Sequence, residues 1–288
     1  MDFTLYWFMF PVAICVATCA MLSGIGGAAL FTPIFVLVFP LLGTEYVLDS
    51  TLAAIGTALI TQTFGFLSGF VGYYRRRLID FETAFRLLRV AVPVAALGAI
   101  VASLVADYLL IAAYGLLVLA LAAALWRHRS YEFRRIVDEG ALRTVVDAAG
   151  REWRYAHPQL TGGNYALTGL GAFLTGLVSV GIGEVTIAQL TRRHVPIAVA
   201  AATSVLVVIV TVLVASTTLA VQLVREGGWT AIPWELLAWD VPGVLIGGQI
   251  GPRIAGRVSQ RAMQRGIAIL FVLLSAAMLT VALRKAGA

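Results

Sequence analysis

Apolar and polar positions along this chain are sorted into long blocks. Apolar blocks run from about Leu5 to Phe39, Leu48 to Tyr74, Ala84 to Val105 and Tyr108 to Trp126, and then from Asn164 to Leu190, Ile197 to Val224, Pro233 to Ile254 and Met263 to Leu283. Sparsely charged blocks of roughly 20 residues are what a helix needs to cross the hydrocarbon core. One long polar stretch, Arg127–Gly163, divides the series. Inside it Thr144–Tyr155 predicts a small β-hairpin with its turn near Asp147–Gly150. The pattern predicts an all-α polytopic membrane protein. Residues 1–126 form a first transmembrane repeat, 127–163 a linker, and 164–288 a second repeat.

The first block of each half is interrupted at the same place. Gly24-Ile25-Gly26-Gly27 breaks the first and Gly181-Ile182-Gly183-Glu184 the second. Glycines this dense stop a helix, because glycine loses the most backbone freedom on ordering. Lipid cannot satisfy the backbone groups a break exposes, so a break is tolerated only inside protein or beside a wet cavity. The agreement continues downstream. Ile55-Gly56-Thr57-Ala58 matches Ala201-Ala202-Thr203-Ser204, and Val92-Pro93 with Gly98 matches Val241-Pro242 with Gly247. Paired broken segments in corresponding positions of two halves point to a transporter site.

Charge fixes the sense of the repeat. The positive-inside rule puts Arg75–Arg77, Arg127–Arg135 and Arg253–Arg265 in the cytoplasm. Arg192, Arg193 and His194 then fall on the side of the linker, so Asn164–Leu190 enters and leaves by one face. It is expected to be a hairpin, and Leu5–Phe39 a second hairpin opening to the other face. Each half then has an odd number of passes, so the repeats are expected to be inverted, with the two tips meeting deep in the membrane; were the glycine segments single kinked spans, the halves would be parallel instead. Arg284 and Lys285, on the predicted outer side, run against this reading.

Composition narrows the class. The chain of 288 residues is 60% hydrophobic and 12% charged, with mean hydropathy +0.91. The net charge of +6 is expected to orient the protein and meet anionic headgroups, not nucleic acid. Cys15 and Cys19 lie on one face of one helix, a spacing that closes no disulfide and offers no metal set. The N-terminus lacks a basic region, so a cleavable signal peptide is not expected. There is no Gly-x-Ser-x-Gly elbow, His-Glu-x-x-His or Walker motif to support an intramembrane enzyme or a nucleotide pump. The histidines fall in basic loops. A passive channel would carry a continuous polar stripe, where this chain has scattered Thr and Gln.

In the glycine-rich Gly24–Pro33 stretch, its second copy at Gly181–Glu184, the Gly56-Thr57 and Thr203-Ser204 pairs, and the Pro/Gly-bearing third helix of each half, the chain resembles the sulfite exporter TauE/SafE family, also called the toluene sulfonate uptake permeases. The resemblance implies an inner-membrane secondary transporter of sulfite, sulfonates or similar small organic anions, and it covers nearly the whole chain apart from the linker. Two departures stand out: Glu184 takes a position where the family has glycine, and Leu190 stands where the first half has Pro33.

Candidate chemistry follows from the breaks. A helix beginning at a glycine break presents free N–H groups and a positive dipole end to an anion. Gly26, Gly27 and Ala28 are the expected donors of the first half, Gly183 and Val185 of the second. Thr57, Gln62, Thr203 and Ser204 are candidate neutral donors. Glu184 is the sharpest residue, because an ionisable group inside a membrane segment marks a pathway or proton relay. Burial favours its neutral form and the helix start its charged form, so it suits proton exchange. Asp240 is a second proton-coupling candidate, placed near the outer interface. Expected partners are a small anion, protons and membrane lipid, with a homo-oligomer left open. No cofactor, metal or nucleic acid is expected.

Overall fold

A computed structural model describes residues 4–23, 26–127, 142–254 and 260–287. The first half comprises α1 (Met9–Ser23), a short α2 (Ala28–Pro33) that runs through a π-turn at Ile34–Val38 into α3 (Phe39–Leu42), then α4 (Thr51–Arg75), α5 (Phe81–Leu104) and α6 (Asp107–Arg127). A two-stranded hairpin follows, β1 (Leu142–Val146) antiparallel to β2 (Glu152–Ala156). The second half comprises α7 (Gly162–Val178), α8 (Ile182–Arg192), α9 (Ile197–Gly227), α10 (Trp234–Ile254) and α11 (Gln260–Ala286). Among the described residues five helices, α4, α5, α6, α9 and α11, are long and apolar enough to cross a membrane.

Both broken segments are hairpins. Asn164, at the start of α7, donates to Gln189 near the end of α8 and accepts from Arg193 at 2.9 Å. The start and finish of this segment therefore lie at one level. In the first half Tyr6 packs on Phe39 with ring centroids 5.5 Å apart and donates to the Tyr46 carbonyl. A full span would put those residues on opposite faces.

Equivalent helices run antiparallel. A side chain at Gly56 of α4 would touch Leu219 and Leu223 of α9, and Thr63 bonds Ser216, so low numbers meet high. In the outer pair Asp107 of α6 meets Lys285 of α11, and Ser275 donates to the Gly115 carbonyl. Repeats related by an axis along the membrane normal would pack such pairs parallel. An axis in the membrane plane makes them antiparallel, so the repeats are inverted.

Each hairpin is clamped by the third helix of the other half, and the clamps correspond. Gly98 of α5 lies so close to α7 that a Cβ there would sit 2.2 Å from the Phe173 carbonyl oxygen. Gly247 of α10 approaches α1 in the same way, with a Cβ 2.5 Å from the Ile14 carbonyl oxygen. In lipid, where hydrocarbon contact with a neighbour gains little over contact with tails, such close backbone approach is a main source of helix affinity. Aromatic side chains mark the two interfaces, with Trp7, Trp229 and Trp234 exposed at one and Tyr74, Phe81 and Trp126 at the other. Cys15 and Cys19 are on the exposed face of α1.

The linker hairpin is docked, not dangling. Buried Tyr155 joins the main core with Leu78 and Ile79 of the α4–α5 turn, and its hydroxyl donates to Asp80 at 3.0 Å. Asp80 also caps α5 by accepting from the Thr83 N–H and pairs with Arg143 at 3.2 Å. The Ala148 N–H donates to the Arg76 carbonyl.

Candidate functional site

The two breaks are built differently. Ser179 ends α7 in the left-handed region with φ 67°, and Gly181 follows at φ 139°. That second value favours glycine, and the Gly171 carbonyl oxygen, which a Cβ at Gly181 would meet at 2.9 Å, leaves no room for a side chain. The break is therefore Ser179–Gly181. Gly183 and Glu184, which the sequence pattern assigns to the break itself, already form the first turn of α8, ahead of Val185, where the arm is expected to begin. In the first half Gly24 and Ile25 lie outside the described residues. Gly26 and Gly27 are buried and lead into α2.

Pro33 explains a contact at the first tip. With no N–H, proline leaves the carbonyl four residues back, that of Ala29, without its helical partner. The buried Tyr114 hydroxyl on α6 donates to that carbonyl at 2.6 Å. The helix widens into its π-turn just beyond.

Among the described residues the tips meet through two bonds. The Gly26 N–H donates to Glu184 Oε1 at 3.1 Å. Thr32 and Ser179 share a hydroxyl–hydroxyl bond at 3.0 Å. Around them three further backbone donors are taken within the protein. The Ala28 N–H donates to Gln62 Oε1, the Ile182 N–H to the Thr175 hydroxyl at 2.8 Å, and the Val185 N–H to the Gly181 carbonyl. Ser204 donates to the Gly183 carbonyl at 3.1 Å. Gly26, Ala28, Gln62, Gly183, Glu184 and Ser204 thus form one connected group, with Gly27 and Val185 in the adjoining backbone.

Two of the sequence candidates stand apart from this group. Thr57 bonds back to the Ala53 carbonyl of its own helix, as hydroxyls in apolar helices commonly do. Thr203 accepts from the Asp80 N–H and ties α9 to the α4–α5 turn. Asp240 is not at the interface. It is fully buried between α10 and α4, where Thr61 donates to one oxygen at 3.4 Å and the other has no partner. Thr32, Ser179 and Tyr114 escaped the sequence reading. Pro33 was the available signal for Tyr114, because a proline inside a buried helix leaves an orphan carbonyl that something must cover.

Among the described residues no group of three or more His, Cys, Asp or Glu side chains could hold a metal. A cavity of about 610 Å³ opens on the face opposite the linker, with Asp49, Ser50, Asp107 and Lys285 among its polar lining, and no tip residue lines it.

Comparison with protein families gives a match over nearly the whole chain. The family described as Sulfite exporter TauE/SafE covers residues 9–278. The chain belongs to that family. This TauE/SafE chain is accordingly a multi-pass membrane protein of a family that transports sulfur anions. Neither a curated protein nor a solved structure matches it.

Proposed function

We propose that the protein is a secondary transporter that moves a small sulfur-containing or organic anion, such as sulfite or a sulfonate, across the inner membrane by alternating access. The observation that carries this reading is the meeting of two oppositely directed hairpins at Gly26–Glu184 and Thr32–Ser179. A site shared by inverted repeats can be opened to either face by rocking one repeat against the other. The neutral donors there, backbone N–H groups, hydroxyls and the Gln62 amide, suit an anion that must be held weakly enough to leave. Internal bonds across the tips favour a gated carrier over an open pore, and the linker side, with its arginines, faces the cytoplasm. Transport, not catalysis, is the activity assigned.

The test is thermal stabilisation of the purified chain by a panel of sulfite, thiosulfate, small sulfonates and small carboxylates, followed by flux in proteoliposomes for any hit. Stabilisation and saturable flux with one of the anions is the expected result. Stabilisation by uncharged or cationic compounds alone refutes the reading.

A further inference from the structure

Glu184 does more than sit in a membrane segment. It belongs to the second half, and its carboxylate reaches the first half, where it takes the Gly26 N–H at 3.1 Å. The corresponding position of the first half is Gly27, which has no side chain to send back. The tip interface therefore holds a single carboxylate, and it rests on a donor of the kind a sulfonate or sulfite oxygen would use. The neighbouring donors described above are spent on Gln62, Thr175 and Gly181. One N–H makes one strong hydrogen bond, so a second oxyanion can bind Gly26 only if the first leaves.

The bond is also poised to be given up. The Gly181 and Glu184 N–H groups at the start of α8 also lie close to the carboxylate, but Oε2 is buried without a partner of its own within hydrogen-bond geometry, and an unsatisfied carboxylate oxygen costs more than an unsatisfied neutral group. No basic side chain pairs with Glu184 among the described residues. Tyr114 on α6 is the titratable group near enough to feel its charge, and that hydroxyl is committed to the Ala29 carbonyl. From α4, α7 and α9 the groups at the tips are Gln62, Thr175 and Ser204, which do not titrate. A proton is therefore the available means of neutralising the carboxylate in place.

Resting on the anion-transport reading above, we infer that Glu184 is a built-in competitor of the transported anion. The charged carboxylate holds the Gly26 N–H and keeps the tips joined. A proton on the carboxylate weakens that bond, and the substrate oxygen takes the N–H. Deprotonation reverses the exchange and expels the anion, so anion and proton bind together and leave together.

The experiment measures binding of thiosulfate and of ethanesulfonate, both anions of constant charge at the pH values used, by calorimetry with the full-length chain in detergent at pH 5.5 and pH 8. The wild type is expected to bind at least tenfold more tightly at pH 5.5. Glu184→Ala is expected to bind equally at both pH values and at least as tightly as the wild type does at pH 5.5. Glu184→Gln, which keeps the shape and checks folding, is expected to lose the pH dependence as well. Undiminished pH dependence in both variants overturns the inference. So does loss of binding in Glu184→Ala with recovery in Glu184→Gln, which would make the side chain a supporting ligand and not a rival. Binding of neither probe by any of the three proteins overturns this inference, and the anion reading falls with it only if the full panel above also gives no anionic hit; wild-type binding that ignores pH removes only the competition.

Discussion

Substituting Gly98 by alanine tests how the hairpins are held. The new Cβ would lie 2.2 Å from the Phe173 carbonyl oxygen and 3.0 and 3.1 Å from the two backbone carbons beside it. Carbon and oxygen ordinarily approach to about 3.3 Å, so α5 and α7 must part by about 1 Å at their crossing. The obstacle is backbone, which cannot swing away as a side-chain end would. Overpacking of this kind costs about 1–3 kcal/mol, and the upper end applies because Gly176 of α7 leans on the Ala95 carbonyl of the same interface. At roughly 2–4 °C per kcal/mol for a chain of this size, the unfolding midpoint should fall by about 6–12 °C. Gly247→Ala, its counterpart against Ile14 at 2.5 Å, should lose nearly as much. Gly72→Ala is the control. It has nothing within 4 Å, and a helical glycine-to-alanine change gains up to about 1 kcal/mol. The assay is intrinsic-fluorescence melting of the three variants in one detergent at one scan rate. A Gly98→Ala midpoint equal to that of Gly72→Ala would refute the clamp.

Other outcomes follow from contacts already described. Tyr114→Phe removes the donor to the Ala29 carbonyl and should cost about 1–3 kcal/mol. Adding Pro33→Ala, which returns an N–H to that carbonyl, should recover part of the loss, so a double-mutant cycle in thermal melting that is strictly additive counts against the pairing. Asp80→Ala strips Tyr155 and Arg143 of their shared partner. Because Arg143 is partly exposed the cost should be nearer about 2 kcal/mol than the figure for a fully buried pair, read as faster protease cleavage between β1 and β2. The Tyr155 hydroxyl is pushed above the ordinary tyrosine range by burial first and the Asp80 charge second. Its contribution is therefore present below about pH 10, the unfolded value, and is lost as pH climbs through the higher folded value. Alkaline titration followed by tyrosinate absorbance should show a late step that Tyr155→Phe removes.

The repeat, the hairpins and their inversion were legible in the sequence, because they are written in quantities that survive without coordinates: block length, glycine position and the side on which arginines fall. The C-terminal Arg284 and Lys285 seemed to contradict that reading. Lys285 turns out to meet Asp107 on the face opposite the linker, a local partner that charge counting along the chain does not see. The exact break in the second half was not legible. Its start depends on Ser179 adopting a left-handed backbone, which serine does only where tertiary contacts impose it. Thr203 looked like the twin of Thr57, yet its hydroxyl serves a loop 123 residues away. Asp240 is expected near the outer interface because it lies close to the start of the apolar block Pro233–Ile254. Only the packing of α10 on α4 shows that it is buried against Thr61.

The exchange of first helices between halves has a consequence for how the chain is made. Thr18 of α1 bonds to Gly247 of α10, 229 residues later. During synthesis the first hairpin enters the membrane long before its clamp exists, and with its break exposed to lipid or held by the insertion machinery. The second hairpin, by contrast, finds α5 already in place. Assembly is therefore lopsided in time although the finished architecture is nearly symmetric. A chain cut in the linker should yield an N-terminal fragment that is degraded when expressed alone and rescued when the C-terminal fragment is made beside it.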